Sequence, residues 1–353
     1  MTGNEITYII LLIATKLHFT QYIMETNSKY LVILSIVILV LIGYFFLRNN
    51  HENKVSMQKD SKKITVITTL FPLYDFARAV GGGNVEVSLL LPPGVEPHSF
   101  EPKPADVVKI NSAEIFIYTG KFMEVWAEDI IKGVINKNLL VVDTSKGITL
   151  MKENEEHEHE NKDEHEEESK HEHHHHGGVD PHVWLNFDNT KIMVKNIADA
   201  LIYKDPSHKK EYEANLEQYI SKLNQLDVEY KSTLSTCRHK EIVYGGHYAF
   251  GYLAKRYGLN YLAAEGVSAD SEPTTHDMIH LVNQVKENNI KYIYYEELTS
   301  PKIAETIAKE TNAKMLLLNA AHNVTKKQVE NGVSYIEIMN DNLNNLKVGL
   351  ECE

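Results

Sequence analysis

The sequence predicts an α/β protein of two lobes, each a central parallel sheet flanked by helices, joined by a long connector helix and preceded by an N-terminal transmembrane helix. Three observations carry that reading. Short β-branched runs alternate with amphipathic stretches in two series, as βαβ units around parallel sheets require. A long stretch with helical periodicity separates the series. An uncharged apolar run of 17 residues, Leu31 to Leu47, stands in front of both.

The first series opens at Ile64–Thr69 (ITVITT), whose β-branched residues suit a strand. Leu73–Val80 reads as a helix stopped by Gly81-Gly82-Gly83. Val85–Leu91 is a second strand, ended by Pro92-Pro93-Gly94. Ala105–Ser112 reads as a helix, Glu114–Tyr118 as a strand, Met123–Gly133 as a helix and Leu139–Val142 as the closing strand. Glu153–His176 follows, with no apolar residue to bury, so it cannot build a core.

Asn189–Tyr203 and His208–Leu234 are helical by period and are separated by Asp205-Pro206. The second places Tyr212, Leu216, Tyr219, Leu223, Leu226 and Tyr230 at spacings of three and four. It reads either as a stiff connector between lobes or as a helix packed within one. The second series then runs strand Glu241–Tyr244, helix Tyr248–Tyr257, strand Leu259–Ala263, helix Thr275–Asn288, strand Ile290–Tyr295, helix Pro301–Glu310, strand Lys314–Leu318 and helix Val333–Leu346. The expected divisions are a cytoplasmic or mis-started segment (1–30), the anchor (31–47), a polar tether (48–63), an N-terminal metal-binding lobe (64–188) containing the His/Glu-rich loop (153–178), connector helices (189–236) and a C-terminal metal-binding lobe (237–353).

The run at 31–47 meets the lower length limit of a membrane span and exceeds a secretory apolar region. It ends in Tyr44, Phe45, Phe46 and Leu47 without a small-residue cleavage pattern, which favours an uncleaved anchor over a cleaved signal. Met24 begins an ordinary signal or anchor start, so the true start is either Met1 or Met24.

With 49 acidic against 36 basic residues and a net charge of −13, a nucleic-acid partner is disfavoured. Eleven acids against three lysines between Met151 and Gly178 supply eight of those charges, and eight of the 18 histidines lie there too. Two cysteines, Cys237 and Cys352, are too few for a disulfide scaffold or an all-cysteine zinc site. They either pair in an oxidising compartment or stand as separate thiols.

Four histidines fall where strands end or elements begin: His98 in PPGVEPHSFEP, His182 in GGVDPHVWLN, His247 in VYGGHYAF and His322 in NAAHNVT. Ligands of open α/β sheets bind beyond the carboxyl ends of strands. Glu296, beside Glu297, has the same placement after IKYIYY. Three imidazoles with a further nitrogen or carboxylate make a four-coordinate set suited to Zn²⁺. Outside the His/Glu-rich tract no HExxH is present, and the chain has no CxxC or P-loop. The tract holding His157, His159, His165, His171, His173, His174, His175 and His176 is a separate, low-affinity metal collector leading directly to His182.

PHSFEP, DPHVWL, GGHYAFGYLAKRYGL and YYEELTSPKIAETIAKET, in this order, resemble the cluster A-I substrate-binding proteins of zinc and manganese ABC transporters, specifically the zinc-uptake type. The resemblance spans Ile64 to Leu346. It implies two four-stranded parallel α/β lobes joined by one long helix, with metal in the cleft held by His98, His182, His247 and a fourth group. Relatives usually place an acid in the loop where this chain has His322, so His322, Glu296 or water fills that place. His247 stands where manganese-binding relatives usually carry Glu, and a nitrogen-rich set favours Zn²⁺ over Mn²⁺. The implied protein is no enzyme. It is a monomer on the extracytoplasmic face, anchored by its helix because no lipobox cysteine is present, and it delivers Zn²⁺ to a membrane permease with a cytoplasmic ATPase. Members described as adhesins also occur; no residue here speaks to adhesion. The alternatives are a manganese or other divalent-metal binder, a metal buffer or surface adhesin working through the His-rich loop, and a zinc hydrolase, for which no nucleophile or substrate pocket is legible.

Overall fold

Parallel pairing organises the chain from Ile64 onward. Strands β1 (Ile64–Thr68), β2 (Val85–Leu89), β3 (Ile115–Tyr118) and β4 (Leu140–Asp143) form one sheet in the order β2-β1-β3-β4. Strands β5 (Glu241–Tyr244), β6 (Asn260–Ala263), β7 (Tyr292–Tyr295) and β8 (Lys314–Leu317) repeat that order as β6-β5-β7-β8. The registers Ile64↔Val85 and Glu241↔Asn260 show the correspondence of the two pairs. In each sheet the strand order reverses beside the first strand, which opens a crevice at the carboxyl ends. The computed structural model describes residues 14–17, 38–42, 44–45, 63–152, 178–267 and 273–353. These fall into one unit ending at Ser61 and a second running from Lys62 to Glu353.

Among the described residues of the first unit, 14–17, 38–42 and 44–45 are helical. Most of the expected anchor at 31–47 lies outside the described residues, as do the tether at 48–62 and the loop at 153–177. No helix among the described residues is long and apolar enough to cross a membrane.

Helices α1 (Phe71–Gly81), α2 (Pro104–Ser112), α3 (Ala127–Gly133), α4 (Phe187–Lys204), α5 (Lys209–Ser235), α6 (Gly251–Tyr257), α7 (Thr275–Glu287), α8 (Lys302–Thr311), α9 (Lys326–Glu330) and α10 (Tyr335–Gly349) cover the sheets. Alternate strand residues point to opposite faces, and both faces are buried. Val66, Ile242, Tyr244 and Tyr294 join one continuous core with α1, α4, α5 and α10. Ile67 and Phe116 face a second core near α2 and α3. Val243 and Ile293 face a third against α7 and α8. The 27 residues of α5 span about 40 Å. This helix packs against α1, α4, α6 and α10, so it touches both halves.

Two helices start three or more residues later than their periodicity predicts. The expected start of α3 at Met123 moves to Ala127, because the Glu124 carboxylate turns back to accept from the Thr119 and Gly120 N–H groups. The expected start of α6 at Tyr248 moves to Gly251, because the Tyr248 N–H donates to Gly266 and the Ala249 N–H to the Tyr261 hydroxyl. Helix α9 was not foreseen; Thr325 and Gln328 cap it reciprocally. Cys237 and Cys352 form a disulfide that fastens the chain after α5 to the chain after α10.

Candidate metal centre

Each sheet-end turn is built to present one imidazole. His98 follows β2, and its N–H donates to Glu96 Oε1 at 3.1 Å. His182 precedes the turn Val183–Leu185. Asp180 Oδ1 accepts from both the His182 backbone N–H at 2.9 Å and Nδ1 at 2.8 Å, an Asx-type closure that fixes the ring. Trp184, fully buried, donates from Nε1 to the Ala320 carbonyl at 2.7 Å and carries this turn to the second half.

His247 leaves β5 through Gly245-Gly246. A Cβ on Gly246 would meet Glu296 Oε2 at 2.7 Å, so only glycine lets the carboxylate of the β7 end reach behind His247. There the Glu296 oxygens lie 2.9 and 3.0 Å from His247 Nδ1. His322 follows β8 and Ala321, whose φ of 59° is left-handed. Asn342 of α10 holds Asn319 by a reciprocal pair, accepting from its N–H at 2.8 Å and donating to its carbonyl at 2.7 Å.

These turns bring His98, His182 and His247 together. His182 Nε2 stands 3.1 Å from His98 Nε2 and 3.2 Å from His247 Nε2. Tetrahedral zinc with Zn–N near 2.0–2.1 Å sets ligand nitrogens about 3.3–3.4 Å apart, so the spacing suits that ion. With Nδ1 of His182 and His247 donating to carboxylates, each Nε2 turns a lone pair toward the common point. His182 and His247 are fully buried and His98 is half-buried, so the group meets solvent on the His98 side.

His322 lies beside this triangle. Its Nε2 groups with Glu96 and Glu296, 3.6 Å from Glu96 Oε2 and 3.9 Å from Glu296 Oε1. The His247 and His322 ring centroids are 5.5 Å apart. Burial opposes ionisation of Glu96, yet the contact with His322 and the charges of His322, His98 and His247 hold its carboxyl down at about 2. Burial would lower His322, but Glu96, Glu297 and Glu296 raise it to about 9. Burial likewise works against protonating His247, and Glu296 outweighs it, raising the imidazole above its ordinary value. Burial pushes Glu297 up to about 7.

Of the residues expected from sequence, His98, His182 and His247 meet, and His322 is adjacent. Glu296 touches His247 from behind. The eight loop histidines, His157 to His176, lie outside the described residues. Sequence reading missed Asp180 and Glu96, each two positions before a histidine and separated from it by a proline. The D-P-H and E-P-H patterns were the available signal.

Two parallel sheets with imidazoles converging at their carboxyl ends define a class: a metal-binding protein of bilobal α/β design, with the donor groups of a soft-to-borderline divalent cation. The chain belongs to the zinc-uptake complex component A periplasmic family, whose model matches residues 66–349. It is 40% identical over 301 residues to the high-affinity zinc uptake system protein ZnuA of Bacillus subtilis, covering 85% of this chain and 92% of that protein. It is 36% identical over 288 residues to the zinc-binding protein AdcA of Streptococcus pyogenes, covering 81% of this chain but only 56% of that protein, so it spans about half of that relative. The crystal structure of the Zn(II)-bound ZnuA-like domain of Streptococcus pneumoniae AdcA superposes with a TM-score of 0.68 at 33% identity, over 82% of this chain and 99% of that one. Members of this family are binding components of uptake systems, not enzymes.

Proposed function

We propose that this chain is the solute-binding component of a zinc ABC importer. It captures Zn²⁺ between the sheet ends and hands it to a membrane permease driven by a cytoplasmic ATPase. The observation that carries this is the convergence of three Nε2 atoms, two of them 3.1 and 3.2 Å from the third. Zinc is the cargo, and a nitrogen-rich set supports it over Mn²⁺. His98, His182 and His247 are the proposed ligands, and His322 from the adjoining cluster is the proposed fourth; Glu296 serves as a brace for His247. The proposed working unit is a monomer with metal-binding lobes at 64–188 and 237–353 joined by helices at 189–236. Its anchor is the apolar run at 31–47, on the extracytoplasmic face. A Streptococcus pneumoniae relative is named a zinc-binding lipoprotein. This chain has cysteine only at 237 and 352, neither of them near that run.

Zinc calorimetry on residues 61–353 without 153–176, beside the same protein carrying His182→Ala, tests the reading. Lys152 and Val179 bridge the two ends of the removed loop, so its deletion leaves the flanking chain joined where it already meets. One tight site, lost with His182→Ala, is expected. No tight site without the loop would make the loop the binder and replace transport by buffering.

A further inference from the structure

The segment between β8 and α9 is tied to both halves of the protein. Asn319 is gripped by Asn342 of α10, and the Ala320 N–H donates to Glu297 at 3.3 Å, both within the second half. Three residues later the backbone of His322 and Val324 and the Asn323 amide hydrogens reach across to the first half. The His322 carbonyl accepts from the Phe71 N–H at 3.2 Å at the start of α1. Asn323, fully buried, spends both amide hydrogens on the turn that carries His98, donating to the Pro92 carbonyl at 2.8 Å and the Val95 carbonyl at 2.7 Å. The Val324 carbonyl accepts from the Gly94 N–H at 2.9 Å. Asn323 Oδ1 accepts from the Val324 N–H at 2.8 Å, which fixes the orientation of the amide. Between the two sets lies Ala321, held left-handed at φ 59°, a conformation unfavourable for an alanine that persists only where the surroundings enforce it.

We propose that Asn323 is a positioning residue for cation retention. Its carboxamide locks the His98 turn to the His322 segment, so it sets how slowly bound zinc leaves without touching the ion. This rests on the zinc-binding reading above. The physical reason is that the His98 turn is the half-buried wall of the site. Pro92 to Val95 are exposed, so water could satisfy their carbonyls, and the amide of Asn323 instead ties them to the other half. Release then requires the turn to come away from Asn323, and the rate of that opening limits dissociation.

The test is stopped-flow zinc release from the loaded full chain into excess chromophoric chelator, together with the zinc association rate. Asn323→Ala is expected to speed release at least tenfold and, because entry passes through the same opening, to speed association as well. Asn323→Asp, which keeps the shape but sets oxygen against both carbonyls, is expected to release faster still. Asn196→Ala removes another amide that donates to two backbone carbonyls, those of Thr144 and Lys146, and is expected to leave release unchanged. Equal release from wild type and Asn323→Ala would overturn the inference alone. Absence of tight zinc binding by wild type would overturn the zinc-binding reading and the inference with it. Hydrogen exchange on the wild-type protein removes any dependence on variant folding. The Gly94 amide is expected to be protected before zinc is added, and exchange at open-loop rates would overturn the proposal.

Discussion

His182 and His247 stand 65 positions apart in the chain, yet their Nε2 atoms face each other at 3.2 Å. Each is braced at Nδ1 by a different carboxylate, Asp180 for His182 and Glu296 for His247. The pair joins the entry to α4 with the exit of β5. The donor geometry is thus set by turns at the ends of rigid elements.

Asp180→Ala leaves all three imidazoles but removes the acceptor that fixes the His182 tautomer. Loss of such an outer partner typically costs about 10–100-fold in metal affinity. Competition with a chelator of known affinity is expected to place the variant in that range. His182→Ala should fall beyond it.

The Trp184 and His182 ring centroids lie 5.4 Å apart, and Trp184 is fully buried. Zinc binding is expected to change tryptophan emission with the same midpoint as calorimetry. His182→Ala should abolish the change, and Trp126→Phe should preserve it.

Zinc ligation needs neutral imidazoles. The His247 imidazole is held above its ordinary value by Glu296, so protons compete with the metal from a higher pH than for a free histidine. Affinity is therefore expected to fall steadily as pH drops from 8 to 5.5. Calorimetry in buffers of differing ionisation enthalpy should register protons released on binding.

Glu124 is buried, and burial pushes its carboxyl up to about 7 despite donors from Thr69, Thr119 and Gly120. An acid whose folded value exceeds its unfolded value loses stability as pH rises between the two, here from 4.5 to about 7, and is level above. At 1.36 kcal/mol per unit the swing is roughly 3 kcal/mol. Urea unfolding of metal-free protein at pH 4.5, 6 and 8 is expected to show that decline in wild type and a flatter profile in Glu124→Gln. The slope is the measure, since the amide also disturbs the donors.

The disulfide between Cys237 and Cys352 closes a loop of 115 positions. Restricting the unfolded chain in this way is worth about 2–4 kcal/mol. Cys352→Ser, or reduction of the wild type, should lower the urea midpoint accordingly.

Much of the fold was legible because the strands are short β-branched or aromatic runs bounded by Gly, Pro and Asp. ITVIT, EIVY and YIYY pair where periodicity placed them. His98 and His247 were legible because strand ends are where α/β sheets bind ligands, and His182 because it opens the next element after the acidic loop. What the sequence hid was tertiary. Helical periodicity starts α3 at Met123, but it cannot say that Glu124 will bond the chain behind it. Asn323 reads as one more loop amide, since its partners Pro92 and Val95 lie more than 200 positions away. His322 was expected among the ligands by position. Its lean toward Glu96 depends on an acid whose neighbour in space is not its neighbour in sequence.

The core that runs unbroken through α1, α4, α5 and α10 into both sheets has a consequence for recognition. Two halves fused through packed side chains cannot swing apart without tearing that packing. A loaded carrier and an empty one are then expected to share nearly the same silhouette, which small-angle scattering with and without zinc would check. A membrane partner that must tell them apart has little change of outline to read. Its information lies in the few exposed turns at the sheet ends, and it has to inspect those at close range.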